Sequence, residues 1–268
     1  MLNISIVLYQ PDREQVRRLA EQLLRVSCLH RLYLLDNSPA PAAERFVDDE
    51  RCTYIYNNAN LGYGRAHNIA LRESVYDHIP YHLVLNSDIL VAPEDIDRLH
   101  TFMEHNPQVG SLMPRVTYPD GSLQYLCKLL PTPLDVFGRR FLPKALMRRR
   151  NERYELRRSG YDKPLNVPYL SGCFMFLRTE AALEAGLFDE RYFMYPEDID
   201  LTRSIHRNRL TLYLPDVTIV HNHARASYHS PRMLIIHIVN LCRYFNKYGW
   251  FYDPERRLMN QLTLQQIN

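Results

Sequence analysis

The sequence predicts an α/β protein: a three-layer sandwich built around a mostly parallel central sheet. Three observations carry that prediction. Over the first hundred residues, short apolar runs alternate with stretches whose apolar residues recur at helical spacing. Three of those runs end in polar sets, Asp36-Asn37-Ser38, Asn57 to Asn60 and Asn86-Ser87-Asp88, all at the rim where open parallel sheets bind ligands. The 268 residues, 46% of them hydrophobic, suffice for one large domain or one domain with an added lobe.

Each element has its own signal. Asn3 to Leu8 reads as a strand. Pro11-Asp12 opens a helix, with Asp12 as N-cap, Gln15 three residues on, and an apolar face of Val16, Leu19, Ala20 and Leu23. Leu32 to Leu35 and Cys52 to Tyr56 are strands, and a helix follows Gly62 and Gly64. Leu83 to Leu85 is a strand buried on both faces. Pro93 starts a helix facing inward with Ile96, Leu99, His100 and Met103. Repeated βα units imply right-handed crossovers.

In the second half, Tyr169 to Leu177 reads as a strand with a break at Ser171-Gly172. A helix begins near Thr179 and Gly186 fits its end; another opens at Pro196-Glu197-Asp198. The stretch from Thr211 reads as a strand pair ending in His221 and His223. Ser230 caps a last helix with Pro231 at N1 and Gly249 past its end. Its stripe is Leu234, Ile235, Ile238, Leu241, Cys242 and Phe245, while Arg232, His237, Asn240, Arg243 and Lys247 forbid a membrane span. That helix either packs on the domain or lies in an interface, with Trp250, Phe251 and Tyr252 at headgroup depth.

Composition narrows the function. A net charge of +3 is too weak to argue for nucleic acid, and no recognition motif supports it. Five widely spaced cysteines without a C-x-x-C pair suit reduced thiols. The start, MLNISIVLYQPD, lacks signal-peptide blocks, and no window approaches the ~18–20 apolar residues of a span. The expected location is the cytoplasm, with contact at the inner face of the cell membrane. Neither G-x-G-x-x-G nor G-x-x-x-x-G-K-[ST] occurs, and the first strand runs into Tyr9-Gln10-Pro11. That disfavours Rossmann dehydrogenases, P-loop enzymes and sugar nucleotidyltransferases. Residues 131–165 form a basic insert interleaved with Phe137, Phe141, Leu142, Leu146 and Tyr154. It is a solvated face, a surface for anionic headgroups or a nucleic-acid patch, and the Phe/Leu interleaving suits an interfacial segment slightly better than the last.

Why should the buried Leu83 strand end in a carboxylate? An unpaired buried charge is costly, so Asp88 is either a turn residue or a metal ligand at the sheet's carboxyl rim. Glu197 and Asp198 suit a helix's first turn, where the macrodipole favours acids. The aromatic approach of Phe193 and Tyr195 also makes them candidates for a base with a raised pKa. His221 and His223 are either hydrogen-bonded structure or, if His221 meets Asp88, part of a sparse site for Mg²⁺ or Mn²⁺.

Together these residues carry a resemblance. The stretches LLDNS (34–38), NNANLGYGRAHNIAL (57–71), LVLNSDILV (83–91), YPDGSLQ (118–124), LSGCFMFLR (170–178), FDERYFMYPEDIDL (188–201) and IVHNHARASY (219–228) are collinear. In that order the chain resembles the inverting glycosyltransferases of family 2, with a GT-A fold, and more narrowly their bacterial rhamnosyltransferase-like members. The resemblance implies a transferase domain over 1–228 and a helical extension over 229–268. It implies that Asp36 contacts the donor's pyrimidine, and that Asn60, Gly62, Arg65, His67 and Asn68 line the nucleotide beside Asn86. It further implies that Asp88 and His221 hold the metal and that Asp198 is the catalytic base beside Glu197.

Two departures stand out. The family's D-x-D is reduced to Asn86-Ser87-Asp88, leaving one acid for the metal. Arg65-Ala66-His67 replaces the two glycines of some relatives, with Arg65 as a compensating diphosphate contact. The implied substrates are a dTDP- or UDP-sugar, rhamnose first, and a saccharide acceptor on a polyprenyl diphosphate. The rival reading is an inactive nucleotide-sugar or saccharide-binding protein of the same fold.

Overall fold

Strand β1 (Leu2–Leu8) buries Leu2, Ile4, Ile6 and Leu8 on one face and the polar Asn3 and Ser5 on the other, because helices cover both. A computed structural model describes residues 1–222 and 231–267. Helix α1 (Arg13–Leu23) is capped as expected: Asp12 accepts from the Gln15 N–H, and Val16, Leu19, Ala20 and Leu23 are its buried residues. Then come β2 (Leu29–Asp36), β3 (Cys52–Tyr56), α2 (Tyr63–Tyr76) and the wholly buried β4 (Tyr81–Leu85). Strand β5 (Ile89–Leu90) precedes α3 (Pro93–His105), which buries Ile96, Leu99, His100 and Met103. Strands β6 (Val109–Thr117) and β7 (Cys127–Lys128) lead to the insert.

The insert holds a π-helical turn (Leu134–Gly138), α4 (Arg139–Phe141), α5 (Lys144–Tyr154) and a 3₁₀ turn (Arg157–Ser159). After it come β8 (Leu165–Asn166), β9 (Tyr169–Leu170), β10 (Phe174–Arg178), α6 (Thr179–Glu184), α7 (Glu197–His206), β11 (Leu210–His221), α8 (Pro231–Tyr248) and α9 (Pro254–Gln265).

The main sheet runs β3-β2-β1-β4-β10-β6-β11-β5, with β8 pairing β11 off the path. Strands β1 to β4 are mutually parallel, so the ends of β2, β3 and β4 share one rim. Strand β10 runs antiparallel between β4 and β6, and β11 is parallel to β6. The α/β sandwich with a mostly parallel sheet is therefore as expected.

Three details differ from expectation. The Tyr169–Leu177 stretch is two strands in two sheets: β9 pairs β7, and only after Ser171-Gly172 does β10 enter the main sheet. The expected strand pair from 211 is one strand, β11, whose pairing jumps from Leu214↔Pro114 to Thr218↔Arg115. Pro215 offers no N–H to the ladder, so residues 215–217 bulge and the strand resumes. Both His223 and Ser230 lie outside the described residues.

The third difference is at the C-terminus. Helix α8 buries Asn240, Leu241, Tyr244 and Phe245, whereas Ile235 of the expected stripe is 62% exposed. Trp250 is not free for an interface: its ring stacks on Phe137 at 6.4 Å and packs on Phe245 at 5.2 Å. The back of α7 is bolted to these helices. Buried Arg203 donates to both carboxylate oxygens of Asp253 at 2.7 and 2.8 Å, and Lys247 reaches Asp200 at 2.8 and 2.9 Å.

Candidate active site

Much of the polar rim holds itself together. Asp36, nearly inaccessible, accepts from the Ser38 N–H at 2.8 Å and the Tyr54 hydroxyl at 2.6 Å. Asn37 donates to the Gly62 carbonyl, Asn57 donates to Asn37, and Asn60 accepts from the Gly62 N–H. At Gly62 (φ +82°) an added Cβ would lie 2.1 Å from the Phe193 carbonyl oxygen. The same carbonyl accepts from the Tyr63 N–H at 2.9 Å, so the loop before α7 is strapped to the start of α2.

The expected donor contacts on α2 point elsewhere. Arg65 is exposed and pairs with Glu190 at 3.5 Å. His67 is fully buried, its Nδ1 2.7 Å from Ser5 Oγ, which also meets His82 Nε2 at 2.8 Å. Burial holds both histidines far below their usual range, His82 at about 3, so the rings are neutral. Asn68 clamps the Phe188 backbone through its Nδ2 at 2.8 Å and its Oδ1 at 3.0 Å. Helical spacing turns residues 67 and 68 toward the sheet and the strap, which removes them from the set able to touch a ligand.

Tyr63 links the two halves of the site. Its hydroxyl lies 2.6 Å from the Gly172 carbonyl and 2.9 Å from Asn86 Oδ1. Beyond Asn86 stands Asp88, at the start of β5, which pairs antiparallel with β11 and brings His221 alongside. Asp88 Oδ1 and His221 Nε2 are 3.3 Å apart, and His221 Nδ1 is 2.9 Å from Gln124 Oε1. Gln124 accepts from Nδ1 and so turns Nε2 toward Asp88. Burial opposes the charge, but Asp88 and Cys173 push His221 up to about 10, so Nε2 carries a proton that a bound cation would displace. Among the described residues no group of three or more His, Cys, Asp or Glu could hold a metal. One carboxylate oxygen and one imidazole nitrogen suit a hard divalent cation only when oxygens from another source complete its shell.

On the other side of Tyr63 stands the acid pair. Asp198 Oδ2 accepts from the Gly172 N–H at 3.0 Å and Oδ1 from the Ile199 N–H at 2.8 Å. A Cβ at Gly172 would press on Asp198 Cβ at 3.1 Å, so the glycine admits the base. Glu197 is 5% exposed, and its Oε2 is buried without a hydrogen bond. Burial and the neighbouring Asp198 push Glu197 up to about 8, and burial also raises Asp198. Asp198 is the more accessible carboxylate, whereas Glu197 is sealed beneath it.

The structure thus brings together Asn86, Asp88, His221, Glu197 and Asp198. It leaves Arg65, His67 and Asn68 out. Sequence reasoning missed Tyr63, Gln124 as the orienting group for His221, and Arg203 behind α7. None had a local signal except the Ser171-Gly172 break, since each contact spans distant segments.

A mostly parallel sheet with an acid–histidine pair and a half-buried carboxylate at its carboxyl rim has the layout of a GT-A nucleotide-sugar transferase. The chain belongs to glycosyl transferase family 2, whose profile matches residues 16–185, and it is a glycosyltransferase acting on a nucleotide sugar. It is 29% identical over 255 residues to the N-acetylglucosaminyl-diphospho-decaprenol L-rhamnosyltransferase of Mycobacterium tuberculosis, covering 86% of this chain and 79% of that one. It is 25% identical over 215 residues to the low-salt glycan biosynthesis hexosyltransferase Agl10 of Haloferax volcanii, covering 79% and 63%. Its fold is similar to the mannosyltransferase PcManGT of Pyrobaculum calidifontis, solved with GDP-Man and Mn²⁺ (TM-score 0.56, 14% identity, 99% and 74% covered). It is also similar to GalNAc-T7 solved with UDP, GalNAc and Mn²⁺ (TM-score 0.57, 13% identity), of which it spans 43%. Among the described residues no helix is long and apolar enough to cross a membrane.

Proposed function

We propose that this chain is an inverting transferase that moves a hexose or deoxyhexose, rhamnose first, from a dTDP- or UDP-sugar to a hydroxyl of a saccharide on a polyprenyl diphosphate carrier. This is a step of cell-surface polysaccharide assembly. The observation that carries the reading is Tyr63, whose hydroxyl touches both Asn86 and Gly172 and so ties the Asp88–His221 pair and Asp198 into one cleft. The mycobacterial relative supports the acceptor class, and the same likeness supports rhamnose.

Asp88 and His221 are the residues to hold Mg²⁺ or Mn²⁺, which when bound offsets charge on the donor's diphosphate. Asp36 and Tyr54 stand where the nucleoside base would rest, and Asn86 beside the diphosphate. Asp198 accepts the proton of the acceptor hydroxyl as that oxygen bonds the anomeric carbon and the bond to the leaving diphosphate breaks on the opposite face. The Gly172 and Ile199 N–H groups fix its carboxylate during the transfer. Glu197, uncharged beneath it, adds no second negative charge.

We place the enzyme in the cytoplasm against the inner face of the membrane. The support is the exposure of Phe141, Leu146, Phe251 and Tyr252, with ten Lys and Arg against four acids over 131–165. The test of function is thermal stabilisation by dTDP, UDP and GDP with and without Mn²⁺, on wild type and Asp88→Ala. Metal-dependent stabilisation by one nucleotide, absent in the variant, is expected; none by any nucleotide refutes the donor site. Nucleotide binding without turnover of any sugar donor would favour the inactive binding protein.

A further inference from the structure

Lys128 is a cation with no direct ion pair among the described residues, in a recessed part of the cleft. It is the second residue of β7 and pairs with Tyr169 across β9, with its ammonium 5.1 Å from the centre of the Tyr169 ring. Among the described residues its ammonium makes no ion pair and no hydrogen bond, and its side chain is half-buried. Its neighbour Arg139 lies over the Tyr154 ring at 5.4 Å and binds Glu155 at 2.6 Å, but Glu155 also serves Arg157 at 2.7 Å. One acid is therefore shared by two guanidinium groups, and the other carboxylate acting on Lys128 among the described residues is Asp198, beyond ion-pair distance. A recessed ammonium left in that state is disfavoured until an anion arrives. Its lowered pKa, caused by burial and then by Arg139, agrees.

The position says which anion. Along the chain the order is Tyr169 beside Lys128, Gly172 holding Asp198, and Cys173, whose carbonyl accepts from the Asn86 N–H. The Asp88–His221 pair and the donor diphosphate belong to the Asn86 end. Lys128 stands at the opposite end, within electrostatic reach of Asp198. An acceptor sugar whose hydroxyl faces Asp198 would project its anomeric substituent away from the donor. The largely buried rings of Tyr169 and Tyr154 back the two cations there.

We propose that Lys128, backed by Arg139, is a binding subsite for the phosphate group on the acceptor's anomeric carbon, selecting phosphate-linked over neutral saccharides. This rests on the transferase reading above. An ammonium–phosphate contact in a recessed site is a charge-assisted bond and should contribute tenfold or more in affinity, on the order of 1.4 kcal/mol.

The test is calorimetric binding of two probes, in EDTA so that the donor site holds no cation. One is a hexosamine 1-diphosphate bearing a decyl tail; the other is the neutral decyl hexosaminide. Wild type, Lys128→Met and Lys128→Arg are compared. The expected result is that Lys128→Met weakens the diphosphate probe by about tenfold or more, Lys128→Arg restores most of it, and the neutral probe binds all three alike. Equal binding of the diphosphate probe by wild type and Lys128→Met, or equal loss of both probes, overturns the subsite. Nucleotide binding with Mn²⁺ by the same wild-type sample separates that failure from failure of the transferase reading. If the nucleotide also fails to bind, the transferase reading falls and the subsite with it.

Discussion

Oδ2 of Asp198 accepts a hydrogen bond from the backbone N–H of Gly172 at 3.0 Å, joining the first turn of α7 to the point where the chain crosses between the two sheets. The other oxygen is held by Ile199. The carboxylate therefore has a fixed direction before any substrate arrives, as a general base requires.

An Asp198→Asn variant keeps the shape and one carbonyl acceptor but has no basic oxygen. Turnover should fall by about 10²–10⁴, the usual contribution of a positioned base, with nucleotide affinity unchanged. Steady-state rates beside nucleotide titrations check it. Near-normal turnover would remove Asp198 from the role.

Glu197 gives a pH signature. Its folded pKa of about 8 lies above the ordinary 4.5, so between those values the native state keeps a proton that the unfolded chain has lost. Stability therefore falls as pH rises through that window and stays lower above it. Glu197→Gln should match wild type near pH 4.5 and be more stable by on the order of 2–4 kcal/mol above pH 8. Thermal denaturation of both proteins across the range reads this directly, and a difference that does not vary with pH would contradict it.

Gly62→Ala meets both a positive φ and a carbonyl oxygen 2.1 Å from its new methyl group. Either α2 shifts or the strap from Phe193 lets go. The cost should be about 2–4 kcal/mol, and the Tyr63 bond to Phe193 should break. Urea unfolding and amide exchange at Tyr63 measure the two effects.

Asp253→Ala strands the guanidinium of Arg203, whose side chain is 1% exposed. Glu255 holds only part of it, at 2.6 Å. Removing one partner of such a buried pair should cost about 3–5 kcal/mol, with α7 loosened from the C-terminal helices. Denaturant unfolding gives the magnitude; a loss under 1 kcal/mol would mean Glu255 suffices.

What was legible in the sequence follows from what is local. Asp12 caps α1 because a side chain three residues away is within reach, and Val16, Leu19, Ala20 and Leu23 are buried because helical spacing puts them on one face. The strand ends at Asp36 and Leu85 were readable because parallel strands buried on both faces are continuous apolar runs, whereas Cys52–Tyr56, half-buried at the sheet edge, showed itself by β-branched and aromatic residues. Asp88, Asp198 and His221 were candidates from their local setting, each with a bland alternative, and the collinear pattern gave them their roles.

What each polar residue does there was decided by tertiary structure. His67 and Asn68 read like rim residues, yet helix phase turns one toward Ser5 and the other toward Phe188. Asp88 and His221 are 133 positions apart and become a pair only because β5 and β11 align antiparallel. Lys128 carried no signal at all. It and its neighbours Tyr169, Arg139 and Asp198 come from four separate segments, and the lack of a direct ion pair is a property of packing that no local pattern records.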